Sequence, residues 1–246
     1  MRTLRELAGA TCRPGVRVDN RVYDQFTAIA VTGLLEKRIA ATPPDRPPRP
    51  PRSAVFFDRD NTLIISDGYL GDATQVRLID GAAAAIARAR RMGFVIVTVS
   101  NQSGVARGMF DEDAVRAVNA ALDAALAATD PDAIIDRHEF CPFHPEGIID
   151  RYRHDTPLRK PGPGMIQKAA RELNLDLPSS WLIGDTPRDI AAARAAGCRA
   201  ILFVPPGIAP SPTVTEPGPV PDHTVTSLSA AIDIIEARLP TPHEHR

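Results

Sequence analysis

The chain is expected to be an α/β protein, a parallel sheet with helices on both faces. Three observations predict it. From Ser53 onward, short apolar runs rich in β-branched residues alternate with helix-length segments, and such alternation argues for a parallel sheet covered on both sides. Three of the runs stop at polar groups: Phe57 leads into Asp58, Val99 into Ser100, and Ile183 into Gly184-Asp185. The apolar content, 43% of 246 residues, is enough for a sizeable core.

In chain order, residues 1–41 carry two possible helices, near Leu4–Ala8 and Tyr23–Ile39. The second places Phe26, Ile29, Ala30, Gly33, Leu34 and Ile39 at rough helical spacing, so an apolar face could pack on the main domain, mediate a dimer or dock a protein partner. Residues 42–52, dense in proline, read as an extended, semi-rigid linker. The main domain is expected over residues 53–240. Ala54–Phe57 reads as a buried strand, Gly81–Met92 as an alanine-rich helix and Phe94–Val99 as a strand. Asp111–Ala127 reads as a helix with Asp111 as N-cap, and Ala133–Phe140 as a strand. Gly164–Leu173 is a helix, Trp181–Ile183 a strand, and Pro187–Ala196 a helix with proline in its first turn. Ala200–Phe203 and Thr224–Val225 complete the strands, a proline-rich surface loop spans Pro205–Pro221, and Leu228–Leu239 closes the chain as a helix.

Composition excludes several classes. A formal charge of −1 gives no reason to expect nucleic acid or an anionic membrane as partner. No apolar run approaches the roughly 20 residues of a transmembrane helix, and the N-terminus lacks a secretory signal. Three widely separated cysteines, Cys12, Cys141 and Cys198, fit a reducing compartment better than a disulfide framework. Cytoplasmic location is the default expectation.

Four segments carry the chemistry. In Asp58-Arg59-Asp60-Asn61-Thr62, two carboxylates two residues apart can point to one side of an extended chain. A hard cation such as Mg2+ with a phosphate ligand would resolve their repulsion. Ser100-Asn101-Gln102-Ser103-Gly104 ends a second strand, Arg159-Lys160-Pro161-Gly162 precedes a helix, and Gly184-Asp185 ends a third strand. In open parallel sheets the ligand crevice lies beyond the carboxyl ends of the strands, so Asp58, Asp60, Ser100, Lys160 and Asp185 could converge there. Each also has an ordinary alternative: an Asp-rich turn, a strand-end serine, a solvated lysine. Asp189 is as well explained by an acid in a first helical turn as by a secondary metal role.

These four segments, in this order, resemble the motifs of the haloacid dehalogenase superfamily. Asp-Arg-Asp, the stretch Ser100–Gly108, Cys141-Pro142 with His144-Pro145, and Arg159-Lys160-Pro161 further resemble its heptose bisphosphate phosphatase and histidinol phosphatase group, the first being the closer match. The resemblance covers roughly Ser53 to Val204. It implies a three-layer Rossmann-like parallel sheet. Only 41 residues separate Asp58 from Ser100 and 59 separate Ser100 from Lys160, which leaves no room for a large cap domain of about 50 residues. The resemblance also implies catalytic roles for Asp58, Asp60, Ser100 and Lys160. Mg2+ would be held by Asp58, Asp60 through its carbonyl, and Asp185. Substrate contacts are implied at Arg59, Ser66, Asp67, Gly68, Tyr69, Asn101, Gln102, Ser103 and Arg159. Arg107 could assist them, but a solvent-facing loop arginine is the default reading.

Two departures matter. Relatives commonly hold a structural zinc with a Cys-x-His pair and a Cys-x-Cys pair. Here Cys141 matches one ligand, while Phe143, Thr156 and Leu158 replace the others, so no structural zinc is expected. Asn61 stands where many relatives have glycine, and asparagine tolerates left-handed backbone angles. The expected activity is a Mg2+-dependent phosphomonoesterase with an aspartyl-phosphate intermediate, acting on a small sugar phosphate. By resemblance this is the 7-phosphate of D-glycero-D-manno-heptose 1,7-bisphosphate. Histidinol phosphate or another sugar phosphate is the alternative enzyme reading. A catalytically silent phosphate-binding or interaction module is the alternative of another class.

Overall fold

The computed structural model describes residues 17–18, 21–22, 50–207 and 219–239. The expected helices Leu4–Ala8 and Tyr23–Ile39, most of the proline-rich linker and most of the Pro205–Pro221 loop lie outside the described residues. The chain divides into two compact units, Met1–Arg49 and Pro50–Arg246. In the first, β1 (Arg17–Val18) pairs antiparallel with β2 (Arg21–Val22).

The second unit alternates strand and helix as far as β7: β3 (Ala54–Phe57), α1 (Ala82–Arg91), β4 (Val95–Asn101), α2 (Glu112–Thr129), β5 (Arg137–Cys141), α3 (Gly164–Leu173), β6 (Trp181–Gly184), α4 (Pro187–Ala196) and β7 (Arg199–Phe203), with β8 (His223–Val225) and α5 (Leu228–Glu236) the next described elements. The six strands form one sheet in the order β5-β4-β3-β6-β7-β8, and every pairing is parallel. The order reverses around β3, so the Asp58 loop sits at the switch point where ligands bind in such sheets.

The centre of the sheet is buried on both faces because β3 and β6 and the first part of β4 are almost continuously apolar. Val55, Phe57, Ile96, Trp181 and Ile183 face a core shared with α1, α2 and α5. Ala54, Phe56, Val95, Val97 and Leu182 face a second core with α3 and α4. Residues alternate between the two by the two-residue period of a strand. Each fully buried large side chain contributes roughly 1.5–3 kcal/mol. Helix ends follow local chemistry. The Asp111 carboxylate accepts from Ala114 N at 2.8 Å, and Ser227 Oγ accepts from Ala230 N at 3.2 Å. α3 ends on Asn174 at φ 52° and α4 on Gly197 at φ 83°.

Several boundaries differ from expectation. β5 starts at Arg137 because Ala133 and Ile134 are held in a turn by Asp130 and Asp132. α5 stops at Glu236, after which Arg238 and Leu239 donate to Ile235 and Glu236, three residues back. β4 runs on to Asn101, two residues past the expected Val99. Among the described residues no separate cap is folded. The segments 58–81 and 142–163 are loops carrying single 3-10 turns at Ala73–Gln75 and Asp150–Tyr152.

β5 is one edge of the sheet and carries Arg137, His138 and Glu139 in succession. Glu139 pairs with Lys168 at 2.9 Å and with Arg137. His138 bridges Thr98 Oγ1 at 2.7 Å and Asp123. The other edge, β8, is three residues long. Among the described residues no helix is long and apolar enough to cross a membrane.

Candidate active site

The carboxyl ends of β3, β4 and β6 and the loop before α3 meet in a cleft of about 480 Å³. Asp58, Asp60, Ser100, Lys160 and Asp185 all line it. Each is delivered by backbone geometry. Asp58 N donates to Ile183 O at 2.9 Å, which ties the first loop to β6. Asn61 then turns the chain back at φ 55°, the left-handed conformation anticipated for it. The Asn101 side chain clamps the lysine loop twice, donating to Lys160 O at 2.9 Å and accepting from Lys160 N at 3.0 Å.

Lys160 is buried between two carboxylates, 2.9 Å from Asp58 Oδ1 and 2.6 Å from Asp189 Oδ1. Asp189 is fully buried, and its other oxygen accepts from Thr186 N at 3.0 Å and Thr186 Oγ1 at 2.6 Å in a capping box that opens α4. Gly184 makes this possible: a Cβ there would lie 2.5 Å from Asp189 Cβ. Asp60 is held by Gln102 Nε2 at 2.7 Å, and the same Gln102 amide donates to Ser100 Oγ at 2.6 Å.

Negative charge is crowded here. Burial pushes the Asp58 carboxyl well above the usual range; Lys160 opposes the shift, while Asp189, Asp185 and Asp60 add to it. Burial and then Asp189 raise Asp185 to about 7, against Lys160. Burial works against the Lys160 ammonium, but Asp189 and Asp58 together lift its proton affinity above the ordinary lysine value. One carboxylate oxygen from each of Asp58, Asp185 and Asp189 lies within 4.8 Å of the others. An all-oxygen, carboxylate-rich donor set with one ammonium suits a hard divalent cation such as Mg2+.

The mouth of the cleft is cationic. Arg107, Arg159 and Arg188 line it beside His144 and Tyr69. Among the described residues no carboxylate forms an ion pair with Arg159 or Arg188, and Arg107 has only the exposed Glu146 at 3.8 Å. Burial lowers the proton affinity of Arg159, with Arg188 and Arg107 adding to the effect. Burial, Arg159 and Arg107 likewise lower the proton affinity of His144.

Of the expected substrate contacts, Gly68, Tyr69, Asn101, Gln102, Ser103 and Arg159 line the cleft. Three do not. Ser66 is buried and its Oγ donates to Gly68 O at 3.0 Å. Asp67 lines a neighbouring cavity with Ile65 and Asp80. Arg59 is 1% exposed and turned into the protein, onto Asp60 and Asn119. The resemblance implied a substrate contact for it; a long side chain on a loop can equally run backwards. Arg107 lines the cleft rather than facing solvent alone. Arg188 and His144 were not expected there, although Arg188 follows Asp185 by three residues and an arginine so near a strand end was a usable signal.

Residues 157–231 match the HAD-hydrolase-like family. D-glycero-beta-D-manno-heptose-1,7-bisphosphate 7-phosphatase of Rhodopseudomonas palustris is 43% identical over 154 residues, 63% of this chain and 84% of the relative. The protein of that name from Yersinia pestis is 36% identical over 185 residues, 75% of this chain and 96% of the relative. The chain belongs to the haloacid dehalogenase superfamily, in its heptose bisphosphate phosphatase group. Solved structures agree with that membership. D,D-heptose 1,7-bisphosphate phosphatase from B. bronchiseptica, complexed with magnesium and phosphate, superposes with a TM-score of 0.65 at 27% identity, covering 76% of this chain and 99% of that one. A HAD-like phosphatase from Mesorhizobium loti gives 0.66 at 32% identity, covering 79% and 90%.

Proposed function

We propose that this member of the superfamily is a Mg2+-dependent phosphomonoesterase that removes the 7-phosphate of D-glycero-D-manno-heptose 1,7-bisphosphate, with residues 53–240 as the catalytic domain. The observation that carries the reading is a cleft with two kinds of charge. Its floor has carboxylates and one lysine, suited to a phosphoryl group with a metal. Its mouth has three guanidiniums, suited to a second anionic group on the same substrate.

An oxygen of the Asp58 carboxylate attacks phosphorus, the bond from phosphorus to the sugar oxygen breaks, and Asp58 carries the phosphoryl group. Asp60 gives a proton to the departing alkoxide, then takes one from the water that attacks phosphorus and releases inorganic phosphate. The Lys160 ammonium, the Ser100 hydroxyl and the Asn101 backbone amide bind the remaining phosphate oxygens. The Asp58 and Asp185 carboxylates and the Asp60 carbonyl would hold Mg2+, which neutralises charge on the transferred group. Asp189, with both oxygens engaged by Thr186 and Lys160, serves chiefly to hold Lys160 in place.

The cationic mouth disfavours histidinol phosphate, whose far end is an amine. The retained Asp58, Asp60, Lys160 and Asp185 argue against a silent binding module. Structural zinc forms no part of this reading. Cys141 is buried with its proton affinity raised by burial, and Phe143 packs on His154 at 4.3 Å and Tyr152 at 5.7 Å between ring centroids. The buried free thiols of Cys141 and Cys198 support a cytoplasmic setting.

The test is phosphate release with Mg2+ and with EDTA across both heptose bisphosphate anomers, histidinol phosphate, sugar monophosphates and nucleotides. Mg2+-dependent preference for a heptose bisphosphate is the expected result. Activity concentrated on another ester removes the substrate, and no release from any ester removes the reaction class.

A further inference from the structure

α2 buries Val115, Val118, Leu122 and Leu126 along one stripe, and Asn119 stands in the same stripe at 7% exposure. A buried amide without a partner costs free energy, so this asparagine needs an acceptor or donor nearby. It has one: its Oδ1 accepts from Arg59 Nη1 at 3.0 Å. Arg59 is itself 1% exposed, and the rest of its fork faces Asp60, with Nε 3.3 Å from Oδ1 and Nη2 3.1 Å from both carboxylate oxygens. On its open side Asp60 accepts from Gln102 Nε2 at 2.7 Å. The carboxyl group is therefore pinned from behind by a guanidinium that is pinned in turn by a helix 60 residues further along the chain.

We infer that Asn119 is a positioning residue for the reaction: it fixes the Arg59 fork, and the fork fixes the plane in which Asp60 meets the leaving oxygen. The inference rests on the proposed role of Asp60. Neither Arg59 nor Asn119 lines the cleft, so the effect reaches substrate only through Asp60. Five donors in one rigid plane can hold a carboxylate in a single orientation only if the remaining donors are also satisfied. With Asn119 replaced by an apolar residue, Nη1 is buried without an acceptor, and the guanidinium turns away from Asp60 to find one.

The test uses the Mg2+-loaded full chain and two esters, the sugar bisphosphate and p-nitrophenyl phosphate. An alkoxide needs a proton to leave and a nitrophenolate does not, and kcat/KM covers the steps up to loss of the leaving group. Asn119→Leu should lower kcat/KM about tenfold on the sugar ester and less than about twofold on the aryl ester, a part of the ordinary contribution of a general acid. Asn119→Asp keeps an acceptor for the fork and should restore the sugar ester to within about threefold of wild type. An equal fall on both esters makes Asn119 merely structural and overturns the inference, as does an unchanged sugar ester or a failed rescue by Asp. If Asn119→Leu does not fold, Asn119→Ala is read by the same ratio. A wild type that releases no phosphate removes the role of Asp60 and this inference with it; an active wild type with an unchanged ratio removes this inference alone.

Discussion

Lys160 Nζ lies 2.6 Å from Asp189 Oδ1, the amine 3% and the carboxylate 0% exposed. Removing one partner of such a pair strands a buried charge, which costs about 3–5 kcal/mol. Lys160→Met leaves both Asp58 and Asp189 without their cation. We expect a lower urea midpoint for metal-free protein at neutral pH, together with lost activity. An unchanged midpoint would mean that the lysine serves the phosphate alone.

Asp58→Asn should retain the fold and lose turnover. The amide fits the same space and removes one of four crowded carboxylates, so the melting temperature should not fall. Phosphate release should drop at least a thousandfold, as when a covalent nucleophile is removed elsewhere. A purified variant with wild-type turnover overturns the nucleophile assignment.

Acid should stabilise the metal-free protein. Asp185 holds its proton up to about 7 in the folded chain against an ordinary 3.8. That contribution is complete below about pH 4 and is lost as pH rises through about 7. Mg2+ competes with the same proton, so the thermal shift from added MgCl2 should grow between about pH 5.5 and about pH 8. A shift that is flat or larger in acid counts against Asp185 as a ligand.

Arg188→Ala tests the cationic mouth. A charge-assisted hydrogen bond contributes about 1.5–3 kcal/mol, so KM for the bisphosphate should rise roughly tenfold to a hundredfold. KM for a sugar monophosphate should stay within about twofold, because that substrate offers no second anion. Equal effects on both substrates would place Arg188 at the transferred phosphate instead.

The aromatic contact of Phe143 with His154 and Tyr152 occupies the loop where the resemblance would have placed a zinc. Elemental analysis of purified protein should therefore find zinc far below one equivalent, and a zinc chelator should leave the melting temperature unchanged. Stoichiometric zinc would require ligands other than the expected four.

The fold was legible because its signals are local. Buried runs such as Val95–Val99 declare themselves, and Asp111 and Pro187 mark helix starts at the residue. The floor of the cleft was legible because Asp58, Ser100 and Asp185 each end a strand. Lys160 was the weaker signal, a cation before a helix start that reads equally well as a solvated loop lysine until the resemblance is added. Side-chain direction was not legible at all. Arg59, Arg107 and Arg188 are three loop or helix-end arginines, and sequence does not say that the first turns inward while the other two line the cleft. Asn119 carried a signal, a polar residue in an apolar helical stripe, but its partner lies far away in sequence.

The edge strand β5 has a consequence for how the protein behaves when concentrated. A parallel sheet exposes unpaired backbone along its last strand, and a neighbouring molecule could extend the ladder there. Here that strand reads Arg137-His138-Glu139, with Glu139 already paired to Lys168 and His138 to Thr98 and Asp123. An incoming strand would have to strip water from charged groups and compete with these contacts. The opposite edge is only three residues long. Both margins of the sheet as described thus discourage edge-to-edge aggregation through the chemistry of their own strands.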